Sequence, residues 1–387
     1  MRDKIEDRRR QIDAIDDELL RLINERARLA IEVGELKLRS ETPLCDQGRE
    51  REVLARAARA NPGPLSEQSV ARIFQCVVDE IRLRQSKVFH APLPAAEAGA
   101  ADAGAAAVPR YGRVAFQGER GAFSEEAAAE LLGAEVELVP RPSFESLFAA
   151  LDEGAADALL VPLENSLMGS VYRCYDLLLE RPLYIVAEVI RHIAHHLIGC
   201  EGASVEALRV VESHPAALAQ CERFFAEHPR ITRRPTDDTA ASVRRVVEGG
   251  DPARAAIAGR RAAALYGGTV LREHLEDHAE NYTRFVLLSG EREDSTKGDK
   301  VSLAIRLAHR PGALHHALEP FAAHGVELLK IESRPIKGRP WQYRFYLDLQ
   351  TPSDECHLNR AFAEFQERAE EVRFLGRYAA ARTPAGL

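Results

Sequence analysis

Residues 12–38, IDAIDDELLRLINERARLAIEVGELKL, decide how the chain begins. Ile12, Ile15, Leu19, Leu22, Leu29, Val33 and Leu36 recur at alternating spacings of three and four, the heptad pattern of a helical seam. The run ends near Thr42-Pro43, which predicts a helix of about 35 residues, roughly 50 Å long. A helix of that length cannot bury its stripe within a monomeric N-terminal segment, so the pattern predicts a homodimer or higher homo-oligomer. Arg26 interrupts the seam. A buried, unpaired guanidinium costs several kcal/mol, so Arg26 either meets an anion or snorkels to a neighbouring Glu, and both readings are open. Lys37, about three turns on, returns to nearly the same face. Two shorter helices are expected at about 46–60 and 66–88, the second carrying Val70, Phe74, Val77, Ile81 and Val88 on one face that Gln85 interrupts. With Arg9, Arg49 and Glu50 added, these residues describe a helix-lined pocket of several cations, one acid and one amide, suited to a small dianion.

Outward from this segment, 387 residues at roughly 150 per domain give about two to three domains. Residues 91–110, APLPAAEAGAADAGAAAVPR, hold no large apolar side chain and form an interdomain linker, and GEREDSTKGDK at 290–300 has the same character. The chain thus divides into 1–90, 111–290 and 300–380. The 52 Lys plus Arg against 60 Asp plus Glu leave a net charge of -8, so no global field draws the chain to nucleic acid or an acidic membrane, and neither is expected as a partner. The six cysteines lack metal-ligand or disulfide-framework spacing and read as reduced thiols. No stretch approaches the roughly 20 apolar residues of a membrane span, and MRDKIEDRRR lacks the apolar region of a signal peptide, so a cytoplasmic location is expected.

In the middle segment, short apolar runs alternate with helical patterns: RVAFQG, SEEAAAELL, DALLVPLENS, LRVVESHP, AALAQCERFF, AAIAGRRAAALYG and RFVLLSG. This is α/β layering, with ligands expected where loops leave the strand ends. Gly118 and Gly121 before a helix allow close backbone approach to an anion, although a G-x-x-G of this kind is more often merely a tight turn. Ser213 and Asp238 are N-cap candidates. Capping does not explain the concentration of Asn165, Ser166, Ser213, Gln220 and Thr283 near strand ends and helix starts. His192, His195 and His196, like His315 and His316, lack an acidic or cysteine partner at a fixed spacing, so no metal site is expected. The last segment follows a β-α-β-β-α-β order, the ferredoxin-like unit.

Residues 9–52 resemble the all-helical chorismate mutase domain, in the version fused to prephenate dehydratase. The resemblance implies that Arg9 and Arg26 bind the two carboxylates of chorismate, Arg9 from the partner chain, with Arg49 beside them. Lys37 and Gln85 would donate to the breaking ether oxygen, and Asp46 and Glu50 would meet the ring hydroxyl. Ile81 stands where some relatives carry Ser and would assist binding. A pericyclic rearrangement requires only a compact conformer and donors aimed at developing charge, so no cofactor is implied.

GERGAFSEEAA (118–128), PLENSLMGSVYRCYDLL (162–178), ESHPAALAQCE (212–222), DDTAAS (237–242) and NYTRF (281–285) together resemble prephenate dehydratase. Thr283 is then implied to be the central catalytic residue, with Asn165, Ser166, Ser213 and Gln220 holding prephenate and Arg284 near its carboxylates. Some of the same wording resembles arogenate dehydratase, which leaves substrate choice open. GALH (312–315) and ESRP (332–335) resemble a phenylalanine-sensing ACT domain, implying an effector site of Gly312, Ala313, Leu314, Glu332, Ser333, Arg334 and Pro335. The expectation is a multidomain enzyme: an all-α mutase domain, a two-lobed α/β dehydratase domain and an α+β ferredoxin-like regulatory domain, with L-phenylalanine as effector. A non-catalytic amino-acid sensor is the rival.

Overall fold

The computed structural model describes residues 2–39, 47–71, 73–74, 77–78, 81, 110–292, 298–352 and 355–381. Two compact units emerge, one of Met1–Ala103, Arg306–Leu328 and Thr351–Glu371, the other of Gly104–Ile305, Leu329–Gln350 and Val372–Leu387.

In the first unit, α1 (Arg2–Arg39) is the long helix that the heptads predict, and α2 (Gln47–Arg59) follows it. The described positions between 67 and 81 are helical again, here α3. The seam of α1 stays open: Ile15 is 65% exposed and Leu36 62%. Charged neighbours at helical spacing flank it, as where Arg21 bridges Glu18 and Glu25 at 2.8 Å each.

The second unit opens with β1 (Arg113–Gln117), α4 (Phe123–Leu132), β2 (Glu137–Arg141), α5 (Phe144–Asp152), β3 (Ala158–Asn165), β4 (Gly169–Ser170), α6 (Tyr172–Glu180) and β5 (Tyr184–His192). The chain then leaves this sheet for β6 (His196–Gly199), β7 (Val210–Ser213), α7 (Pro215–Ala219), α8 (Glu222–Glu227), β8 (Thr232–Pro235), α9 (Thr239–Gly249), β9 (Arg254–Ala258), α10 (Arg260–Tyr266) and β10 (Thr269–Arg272), and returns as β11 (Tyr282–Ser289). Sheet order is β2-β1-β3-β11-β5 in one lobe, with β4 on β3, and β10-β6-β9-β7-β8 in the other. β3 carries the continuous apolar run ALLVPL because it is sandwiched between β1 and β11 and covered on both faces.

The two strand crossings between lobes are stitched together. Ile193 N donates to Asn281 O at 2.7 Å, Leu275 N to His195 O at 2.8 Å, and His195 N to the Glu276 carboxylate at 2.7 Å. The expected single helix AALAQCERFF breaks at Gln220 and Cys221. Its second half is capped instead from the return crossing, where the Asp277 carboxylate accepts from Glu222 N and Arg223 N at 2.7 and 3.0 Å.

The C-terminal elements follow the expected β-α-β-β-α-β order: β12 (Lys300–Arg306), α11 (Ala313–Ala323), β13 (Glu327–Pro335), β14 (Tyr343–Gln350), α12 (Glu355–Arg368) and β15 (Glu371–Tyr378). The sheet runs β13-β14-β12-β15. Its buried Ala304, Tyr346, Leu375 and Tyr378 join the core of Leu147, Phe148, Leu159 and Leu178. A Cβ on Gly376 would lie 2.0 Å from the Ile185 carbonyl oxygen, so β15 can approach β5 this closely only as glycine.

Candidate active site

A cavity of about 330 Å³ lies between the two lobes, at the carboxyl ends of β1, β3 and β7. Asn165, Thr283, Gln220 and His195 line it, with Phe123 and Phe285 as its apolar wall. None of its lining residues is Lys or Arg, while Asp237 and Asp238 stand at one side. The start of α4 also borders it, and Ala122 at that N-cap supplies no side-chain acceptor. Two glycines permit the close fit. A Cβ on Gly118, at φ +112, would meet the Asp238 carboxylate at 2.8 Å, and one on Gly121, at φ +86, would meet Ala262 Cα at 2.9 Å. Burial pushes the Asp238 carboxyl up, against the first-turn amides of α9 that it caps.

Backbone groups settle the direction of every hydrogen bond at the centre. Asn165 Oδ1 accepts from Leu167 N and Met168 N at 3.0 and 2.9 Å. Its Nδ2 must therefore face Tyr282 O at 3.1 Å, Thr283 Oγ1 at 3.0 Å and Asn281 Oδ1 at 2.8 Å. Thr283 thus accepts from Asn165, and its own proton is left to donate into the cavity. Asn281, in turn, donates from Nδ2 to Gln220 Oε1 at 3.0 Å, which makes His195 Nε2 a donor to the same oxygen at 2.7 Å. Burial pushes the His195 imidazolium down, so the ring is neutral with a bare Nδ1.

The structure brings Asn165, Gln220 and Thr283 together, and it moves three other expected residues elsewhere. Arg284 was expected beside the substrate carboxylates. Strand alternation sends it to the opposite face of β11, where its guanidinium is buried against Glu188 at 2.6 Å, Asp348 and the Tyr378 hydroxyl at 2.8 Å. Ser213 is fully buried and donates to Ile257 O at 2.6 Å, fastening β7 to β9 rather than facing a ligand. Ser166 is exposed and locks its own loop, donating to Glu280 O at 2.8 Å and accepting from Tyr282 N at 2.9 Å.

In ESRP the Glu332 and Arg334 side chains do not stand open to an effector. Ser170 Oγ donates to Glu332 at 2.6 Å, and Arg334 pairs with Asp176 at 3.0 Å over the Tyr172 ring. Ser333 and Pro335 share β13 with them. Gly312, at φ +77, starts α11 ahead of Ala313 and Leu314, a left-handed position that favours glycine. On α1, Arg26 and Lys37 are half-buried and Arg9 is exposed. Arg49 pairs with Glu52 at 2.7 Å on α2, which also carries Glu50, and Ile81 is buried. Asp46 and Gln85 lie outside the described residues.

Two members of this hydrogen-bond network were not expected from the sequence as site residues. Asn281 lies two residues before Thr283, hence on the same strand face, and was visible only as part of NYTRF. His195 was weighed solely as a metal ligand.

Comparison with known proteins matches residues 8–86 to the chorismate mutase type II family and 114–293 to the prephenate dehydratase family. The bifunctional chorismate mutase/prephenate dehydratase of Neisseria gonorrhoeae is 34% identical over 96% of this chain and 95% of its own. This chain belongs to that bifunctional family. Two solved structures share the dehydratase part of this family's fold, each with a TM-score of 0.63. Prephenate dehydratase from Arthrobacter aurescens, in complex with L-Phe, is 32% identical and covers 69% of this chain and 90% of its own. GqqA, described as a quorum-quenching acylase, is 31% identical and covers 70% of this chain and 98% of its own.

Proposed function

We propose that the chain rearranges chorismate to prephenate on its N-terminal helices (1–90), converts prephenate to phenylpyruvate in the two-lobed segment (111–290), and is inhibited by L-phenylalanine through a C-terminal ACT domain (300–380). The observation that carries the dehydratase reading is the forced polarity of Asn165 and Thr283. In that reaction prephenate dianion and one proton become phenylpyruvate, carbon dioxide and water. The C4–O bond breaks as the C1 carboxylate departs, and the freed electron pair completes the aromatic ring. Thr283, held as a donor, stabilises charge on the leaving oxygen where it develops. Asn165 and Gln220 hold that geometry. With no cation lining the cavity, backbone amides at the α4 start are the groups suited to the carboxylates.

For the mutase, Arg26 and Lys37 on one face of α1 support a dianion site that Arg9 of a second copy completes, with Gln85 as the second donor to the ether oxygen. The uncovered α1 seam supports dimerisation, since apolar stripes of this length are buried by a partner. In the cytoplasm such a chain would need only its two substrates and its effector, with no cofactor.

Turnover of chorismate followed in the ultraviolet, then of prephenate and of arogenate with and without L-phenylalanine, tests these readings together. The expected outcome is product from chorismate and prephenate and a lower prephenate rate with effector. Preference for arogenate would reassign the substrate, and no turnover would leave the sensor.

A further inference from the structure

Resting on the dehydratase reading, one requirement is still unmet: the departing hydroxide takes up a proton, and a threonine hydroxyl is too weak an acid to give one away. We propose that His195 is the general acid of this step, passing a proton from Nδ1 to the leaving oxygen. The ring is 2% exposed and lines the cavity. Nε2 is tied to Gln220 at 2.7 Å, and among the described residues no group reaches Nδ1. Because the amide chain makes Nε2 a donor in either charge state, protonation at Nδ1 requires no ring flip, and the donor it creates at that buried, unpartnered nitrogen needs an acceptor that the substrate's leaving oxygen would supply.

Two other titratable groups in the cavity are already engaged. Asp238 accepts from Ala241 N at 2.8 Å as the cap of α9, and His214 Nδ1 accepts from Ala216 N at 3.2 Å. Around His195, the Glu276 carboxylate favours its cation, while burial and the neighbouring His192 and His196 oppose it. Asp237 and Asp238 border the same cavity. Neutral beforehand, the ring gains its proton as a doubly negative substrate enters a cavity without Lys or Arg. Once the C–O bond has broken, water leaves with that proton and solvent restores it.

The test measures kcat and KM for prephenate from about pH 5 to 9 in wild type and in His195→Gln, whose amide keeps a donor toward Gln220 and removes the ionisable nitrogen. The acid form is the active one, so wild-type kcat should fall on the alkaline side through one protonation. His195→Gln should lose about 10²–10⁴-fold in kcat with KM little changed, and the remaining rate should lack that limb. The urea unfolding midpoint of the full-chain variant reports whether the two-lobed segment is folded. A flat wild-type profile overturns the proposal whether or not the variant folds. So does a variant within about threefold of wild type, or a slowed variant that keeps the wild-type limb. Wild type that turns over chorismate but never prephenate sinks the dehydratase reading itself.

Discussion

Thr283 and Arg284 are neighbours on β11, and the strand sends them into opposite worlds. Thr283 faces a cavity lined by amides, two imidazoles and aromatic rings, with Asp237 and Asp238 at one side and no Lys or Arg. Behind it, Arg284 and Lys300 meet Glu188 and Asp348 in a buried cluster that Ser302 and Tyr378 complete. Two cations there balance two anions, so nothing is left over for a ligand. Full charges attach the strand to the C-terminal sheet, and neutral dipoles of fixed direction surround the Thr283 hydroxyl. A mobile cation beside Thr283 would have to be desolvated and reoriented at each turnover; oriented amides are already in place.

The comparison breaks most readily at Arg284. Arg284→Met keeps much of the volume but leaves Glu188 and Asp348 sharing one cation in a buried site, which should cost about 3–5 kcal/mol. Urea unfolding of the full chain measures it, and a loss under about 1 kcal/mol would show that the cluster is not what holds β11. The pH dependence has a definite sign. Burial pushes the Asp348 carboxyl up, but Arg284, Lys300 and Ser302 together hold it below its ordinary value. Its contribution is therefore fully present above about pH 3.9, the unfolded value, and is lost as pH falls through the lower folded value. In Arg284→Met that acid-side dependence should weaken.

Thr283→Val tests the other face with the opposite signature. The swap removes the donor and retains the shape, so kcat for prephenate should drop about 10²–10³-fold while stability moves little. Comparable loss of stability in Thr283→Val and Arg284→Met would erase the distinction between the faces.

Much of this arrangement was legible beforehand. The heptads of α1, the strands RVAFQG and DALLVPLENS and the β-α-β-β-α-β order all carry local periodicity, which is what short-range sterics and burial impose. Even the separation of Thr283 from Arg284 lay in the text of YTRFVLLS, since a strand alternates every residue. What could not be seen was where Arg284 would find its counter-charges, because Glu188 and Asp348 are 96 and 64 residues away. Adjacency to Thr283 made a substrate contact attractive, and tertiary pairing decided otherwise. Likewise Ser213 has the composition of a site residue, yet the register of β7 beside β9 turns it inward.

A finer probe of the cavity face is Asn165→Asp. A carboxylate cannot donate to Thr283, so the threonine proton would turn toward residue 165 and away from the leaving oxygen. Loss of about 1–3 kcal/mol of transition-state stabilisation, roughly 5- to 150-fold in kcat/KM, is expected. An unchanged kcat/KM would mean that the direction of the Asn165 amide is irrelevant to Thr283.

The smallest effect lies at the edge, where charge again serves attachment. Arg334 on β13 pairs with Asp176, and Glu332 accepts from Ser170, whose backbone neighbours Gly169 and Val171 line the cavity. Both partners of the Arg334 pair are about a quarter exposed, 25% and 23%, so solvent screening holds the pair to at most about 1 kcal/mol. Arg334→Met should barely move the unfolding midpoint. If L-phenylalanine acts through β13, that same contact is a part of the path from effector to cavity, and a coupling of typically 1–3 kcal/mol leaves room for a single pair to carry a noticeable share. The concentration of L-phenylalanine that halves prephenate turnover should then shift by about two- to fivefold. An identical inhibition curve in Arg334→Met would confine this ion pair to holding β13 in place, and would direct the search for the coupling to the Glu332–Ser170 hydrogen bond.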